Sequence, residues 1–141
     1  MILDASQIAP RLWQGSRPPE GRHLHDAGID VLVLCALEHQ PPARGYPGVE
    51  IIRAPMDDSS TVPKQIAESA ARLAAIRYQQ GRVVLVACNM GRNRSGLVSA
   101  LVLWLRRFGT GKRCADRVRS RRAGALTNPY FYAWLARLPR R

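Results

Sequence analysis

Val83-Val-Leu-Val-Ala87 is an unbroken apolar run of strand length that leads straight into Cys88-Asn-Met-Gly-Arg-Asn-Arg94-Ser95-Gly96. A helical pattern follows, Ser95 to Arg107, with Leu97, Leu101, Trp104 and Leu105 on the core side and Gly109 as its stop. Strand, short loop and helix in that order make half of a βαβ unit, and a run without polar alternation suits a parallel strand covered on both faces. The same alternation continues outward. Toward the amino terminus, Pro63 opens a helix through Gln79 with the stripe Ile66, Ala70, Leu73 and Ile76, closed by Gly81. Before it come the loop Pro55 to Pro63, a strand Glu50 to Ala54, turn-rich Gln40 to Gly48, and a buried strand Asp30 to Cys35. Arg17-Pro-Pro-Glu20 opens a helix to Ala27, after a short extended piece at Leu12 to Gly15. Toward the carboxyl terminus two more helices are expected, about Lys112 to Arg122 and Pro129 to Arg137, the second capped by Asn128-Pro129. No repeat or linker divides the chain. The expectation is one domain over 1–141: α/β, three-layer, a central mostly parallel sheet of about four to five strands with helices on both faces.

At 141 residues, 46% apolar, the chain is long enough to bury a core without staples. Cys35, Cys88 and Cys114 are odd in number and contain no Cys-x-x-Cys pair, which argues against a disulfide framework or a structural zinc site and favours a reducing, cytoplasmic setting. His23, His25 and His39 have no partners at ligand spacing and read as surface residues, so neither a metal nor a cofactor is expected. The first fifteen residues lack the pattern of a signal peptide, and no stretch approaches the ~20 apolar residues of a transmembrane segment.

Charge departs furthest from the ordinary. Lysine and arginine number 22 against 10 acids, a net +12, and Arg106 to Arg141 holds eleven bases and the single acid Asp116, so this region carries +10. Such a face attracts polyanions: nucleic acid, anionic headgroups or phosphorylated protein. A compositional arginine bias that only keeps the protein dissolved is the alternative.

The segment after the third apolar strand holds the chemistry. Cys88 with Gly91, Arg94 and Ser95 at fixed offsets is expected by chance roughly once in four hundred such chains, before the flanking strand and helix are required, and neither Cys35 nor Cys114 satisfies it. A loop between strand end and helix start turns successive backbone N–H groups inward, a nest for an oxyanion at the positive end of a helix dipole. The phosphate-binding set is then Asn89, Met90, Gly91, Arg92, Asn93 and Arg94. The same field favours a thiolate and makes Cys88 a nucleophile, and Arg94 offers a planar fork for two phosphate oxygens. Arg92 adds a cation near the mouth, which fits either a substrate with more than one negative group or a solvated side chain.

These residues resemble the Cys-x5-Arg protein phosphatases and, within them, the small dual-specificity group. The resemblance spans most of the chain: Leu12-Trp-Gln-Gly-Ser16 is similar to the family's amino-terminal segment, Ala27 to Leu34 to its first parallel strand, Pro55-Met-Asp-Asp58 to its acid loop, and Arg122 through Leu135, with Asn128 and Phe131, to its closing helix. It implies that Asp58, thirty residues before Cys88, is general acid and then general base, with Asp57 as the competitor one position away. It implies that Ser95 helps the sulfur leave; an ordinary helix cap is the plainer reading of that hydroxyl. It implies that Cys35 forms a reversible disulfide with Cys88, as a second cysteine does in some phosphoinositide phosphatases. The family usually has His just before the nucleophile, where this chain has Ala87, so modest turnover or binding without catalysis stay open.

The function expected is therefore a cysteine-dependent phosphatase acting on phosphorylated protein or another phosphate ester. Phosphoinositide and RNA 5′-phosphate ends are alternative substrates. A rhodanese-like sulfurtransferase and a non-catalytic phosphate-binding module are the readings from other classes; the former has no use for the acid loop.

Overall fold

The computed structural model describes residues 3–141. In chain order it contains β1 (Ala5–Ala9), β2 (Leu12–Gly15), α1 (His23–Asp26), β3 (Val31–Ala36), a 3-10 turn at Ala43–Gly45, β4 (Glu50–Met56), α2 (Lys64–Gln79), β5 (Val84–Ala87), α3 (Arg94–Leu105), α4 (Gly111–Arg121) and α5 (Pro129–Ala136). The strands form one sheet in the order β1-β2-β5-β3-β4, parallel except between β1 and β2. β5 lies in the middle, so the loop leaving it opens at the carboxyl edge of the parallel strands, where open α/β sheets take their ligands.

Strand alternation sorts the core into two. Val31, Val33 and Cys35 face the layer built from α2, α3, α4 and α5. Leu32, Leu34, Leu85 and Ala87 face the other way, under Leu24 of α1, Tyr46 and Val49. α3 is buried from Arg94 through Leu103, because it is packed between the sheet, α2 and α4. No described helix is long and apolar enough to cross a membrane.

Three expectations change. The helix read from Arg17 to Ala27 shrinks to His23–Asp26, since Gly21 adopts φ +136° and breaks the chain direction behind the prolines. Of the stripe assigned to α2 only Ala70 faces the core: Ile66, Leu73 and Ile76 are exposed, while Ala67, Ala71, Ala74, Ala75 and Tyr78 are buried with Ala70. Small alanines let α2 lie close against β4 and α3, and that close packing outweighs the larger residues' hydrophobicity. His25 is exposed, whereas His23 and His39 are only partly so, and His39 Nε2 lies 3.4 Å from the Tyr46 hydroxyl.

β1 has no counterpart in the sequence reading, because Ala5-Ser-Gln-Ile-Ala9 neither alternates nor is rich in β-branched residues. Pairing with β2 creates it, across a turn in which Arg11 takes φ +65° and donates to the Tyr78 carbonyl at 2.5 Å. From α4, Arg117 and Arg121 donate to the carbonyls of Ile8 and Gln7 at 2.8 and 2.9 Å, covering the free edge of β1. Part of the basic carboxyl-terminal charge therefore has structural work.

Candidate active site

The loop after β5 is shaped by what its carbonyls bond to. Asn89 O accepts from the Arg17 amide (3.3 Å), Met90 O from Arg122 Nη2 (3.2 Å), Gly91 O from Arg122 Nε (2.6 Å) and Gln14 Nε2 (3.1 Å), and Arg92 O from the Leu126 amide (3.1 Å). A trans peptide sets its N–H opposite its C=O, so four outward carbonyls turn the amides of Met90, Gly91, Arg92 and Asn93 to the inside of the loop. Among the described residues none of those four amides has an acceptor. Gly91 makes this path possible: φ is +68°, and a Cβ there would lie 2.4 Å from the Gly15 carbonyl carbon and 2.6 Å from an Arg122 nitrogen. α3 starts from this ring, and its N-cap Asn93 makes no side-chain cap.

Cys88 is buried at the floor, its amide held by Gly15 O at 3.3 Å and its Sγ 3.2 Å from Ser95 Oγ. Arg94 is also buried, and its fork meets Glu38, Nη1 to Oε1 at 2.6 Å and Nη2 to Oε2 at 2.9 Å, while Nη1 also donates to Met56 O at 3.1 Å. Glu38 follows β3 and was absent from the sequence reading. The Arg94 guanidinium holds the Glu38 carboxyl down to about 2. An acid just past the carboxyl end of a strand adjoining β5 was the available signal, since such loops meet at the same edge.

Asp58 and Asp57 are both exposed but differently placed. Asp58 Oδ2 accepts from Asn93 Nδ2 at 2.9 Å and Oδ1 from Asn128 Nδ2 at 2.7 Å, joining the acid loop to the cysteine loop and to α5. Asn128 also caps α5 through Oδ1, and its backbone amide donates to Asn93 Oδ1 at 2.8 Å. Asp57 has no side-chain partner among the described residues. Arg92 is exposed and leans on Gly124, where a Cβ would come 3.2 Å from its Nε. Asn89 and Met90 form the exposed rim.

Ala87 faces away from the cysteine loop, in the second core. The bracing comes from below and from the side. Gln14, fully buried on β2, reaches Gly91 O, and Arg122 is itself clamped by Asp4 Oδ1 (3.3 Å), Asp4 Oδ2 (3.1 Å) and Ser6 Oγ (3.1 Å). The Arg122 guanidinium holds the Asp4 carboxyl below its ordinary range. Cys35 lies one residue beyond the Leu34–Ala87 register pair, on the same sheet face as Cys88, and burial pushes its thiol well up.

No family model and no curated protein matches the sequence. Among solved structures, the chain is similar to a mouse protein described as a dual specificity phosphatase, complexed with zinc tungstate, at 29% identity and TM-score 0.81, over 96% of this chain and 86% of that one. Human DUSP28 is 26% identical with TM-score 0.76, over 96% and 92%. PTPMT1 in complex with PI(5)P shares the fold at 19% identity and TM-score 0.79, over 94% and 92%. The order of strands, the strand–loop–helix at the sheet's carboxyl edge and these likenesses agree in giving the chain the fold of the dual-specificity phosphatases of the Cys-x5-Arg protein tyrosine phosphatase superfamily, to which it is similar.

Proposed function

We propose that the chain hydrolyses phosphate monoesters of protein side chains through a cysteinyl-phosphate intermediate. The observation that carries this reading is the row of four consecutive carbonyls, Asn89 to Arg92, each bonded outward, which leaves the opposing amides turned toward Cys88. A ring of donors fixed before substrate arrives is the arrangement that stabilises charge on a transferring phosphoryl group. Cys88 Sγ attacks phosphorus in line with the departing oxygen, the amides and Arg94 hold the equatorial oxygens, and Asp58 protonates the oxygen as it leaves. In the second step Asp58 takes a proton from water, the water oxygen bonds to phosphorus, and the sulfur departs as a thiolate to which Ser95 Oγ donates.

Asp58 is chosen over Asp57 because its two oxygens are tied to the loop and to α5. The tungstate in the mouse relative is a tetrahedral oxyanion, which supports a tetrahedral ligand here. A phosphoinositide is the second substrate reading, favoured by the exposed Arg92 cation at the mouth and by the PI(5)P bound to PTPMT1. Cys88→Ser tests the first reading: hydrolysis of an aryl phosphate disappears while the unfolding midpoint stays near wild type. Full hydrolysis by that variant ends the proposal, and thiosulfate–cyanide exchange by the wild type without phosphatase turnover hands the site to sulfur transfer.

A further inference from the structure

Two neighbouring cavities run from the acid loop down the side of α5. The first, about 280 Å³, is bounded by Asp58, Asn93, Asn128 and Tyr130. The second, about 460 Å³, shares Ser60 and Tyr130 with it and continues to Lys64, Trp134 and Arg137. Together they form a groove that starts at the carboxylate assigned to the leaving group and ends between two cations. Tyr130 and Trp134 are four residues apart on α5 and so present rings on one helix face. Tyr130 is 55% exposed. Among the described residues the side chains of Lys64, Arg137, Tyr130 and Trp134 make no hydrogen bond or ion pair, and the second cavity has no acidic lining residue.

We propose that this groove binds the polypeptide flanking the phosphorylated residue and selects an acidic side chain in it, with Lys64 and Arg137 taking the carboxylate and Tyr130 and Trp134 an apolar neighbour. The inference rests on the phosphatase reading, because the leaving hydroxyl and the chain that bears it depart over Asp58. The distribution of charge favours a peptide over a nucleic acid strand. The upper cavity contains the Asp58 carboxylate and no cation, which repels a backbone charged at every unit, whereas a peptide can cross it neutral and place its charge further on. Spacing follows from α5. Asn128, which touches Asp58, and Arg137 are nine residues apart, about 13 Å at ~1.5 Å per helical residue. An extended peptide at ~3.3 Å per residue covers that in about four positions.

The test is a set of phosphotyrosine and phosphothreonine peptides carrying one Glu at two to six positions on either side, together with a neutral peptide, an aryl phosphate and a 5′-phosphorylated single-stranded RNA. Turnover is read as the ratio of peptide to aryl phosphate kcat/KM, and binding of the same peptides to Cys88→Ser is read in parallel, so a chain that binds without turnover still reports on the groove. The proposal requires a preference for acid about four positions away that shrinks as salt rises. In Lys64→Ala combined with Arg137→Ala, the preference falls about fivefold to tenfold, as two exposed charge pairs allow. The pair Arg72→Ala and Arg82→Ala, which changes net charge equally at exposed sites elsewhere, leaves it in place. Equal rates and affinities for acidic and neutral peptides overturn the proposal while leaving aryl phosphate hydrolysis to judge the phosphatase reading separately. Tighter binding of the RNA than of every acidic peptide, weakened by the same Lys64 and Arg137 changes, overturns it in favour of a nucleic acid.

Discussion

Gln14→Leu separates the stability of the protein from the order of its loop. Gln14 is fully buried, its Nε2 donates to Gly91 O at 3.1 Å and more weakly to Arg92 O at 3.5 Å, and its Oε1 is buried without a partner among the described residues. Leucine nearly matches its shape, so no sizeable cavity results. Neither carbonyl is orphaned, since Gly91 O keeps Arg122 Nε at 2.6 Å and Arg92 O keeps the Leu126 amide at 3.1 Å. The bonds lost are worth about 1 kcal/mol each at most, and removing an unpaired buried oxygen returns about 1–3 kcal/mol. Unfolding free energy is therefore expected within about 1 kcal/mol of wild type, or above it. The loop loses one of its two braces at Gly91, and a single hydrogen bond's worth of definition corresponds to about three- to tenfold in kcat/KM and in affinity for tungstate. Gln14→Glu turns an acceptor toward two carbonyls and should cost far more in both respects. Denaturant titration alongside steady-state kinetics reads the two quantities independently. A Gln14→Leu protein destabilised by more than about 2 kcal/mol means the oxygen is satisfied; unchanged stability with unchanged tungstate affinity means Gln14 does not hold the loop.

Asp58→Asn should slow hydrolysis more for alkyl than for nitrophenyl phosphates, because only poor leaving groups need the proton; the same leaving-group signature in Asp57→Asn alone moves the acid one residue. Glu38, held down to about 2 from an ordinary 4.5, contributes stability that is complete above about pH 5 and lost as pH falls toward 2. Because the Glu38 side chain is 46% exposed, solvent limits that contribution to about 1 kcal/mol, and Glu38→Gln should flatten the acid limb of a stability–pH curve while lowering kcat/KM through a freed Arg94. A variant curve parallel to wild type between pH 5 and 2 contradicts the pairing. With Cys35 beside Cys88 across β3 and β5, mild peroxide should first convert the Cys88 thiolate to a sulfenic acid, releasing hydroxide, and the Cys35 thiol should then displace water to close a disulfide. Two of the three thiols then vanish reversibly; a sulfinic acid at Cys88 with Cys35 still titrating rules this out.

The strand–loop–helix around Cys88 was readable because each part leaves a local mark: an apolar run, glycine at the one position where φ is +68°, and an apolar helix. The helix α5 was readable from Asn128 and the proline beside it, whereas the Thr110 cap of α4 emerged only in the structure. What escaped depends on contacts distant in sequence. β1 exists by pairing with β2 and by arginines from α4 more than a hundred residues on. Glu38, Gln14 and Arg122 act on residues 56, 77 and 31 positions away, so no spacing rule exposes them. α2 misled because hydrophobicity alone ranks Ile and Leu above Ala, whereas the close approach of two layers selects the smallest apolar side chain.

Rapid quenching of the wild type and of Ser95→Ala with a labelled phosphate ester asks whether the Cys88 sulfur carries a phosphoryl group during turnover. A thiol-linked, acid-stable phosphate mapping to the peptide that contains Cys88, accumulating further in Ser95→Ala and absent from Cys88→Ser, is the result expected. Turnover of the ester with no label on that peptide in either protein contradicts the account.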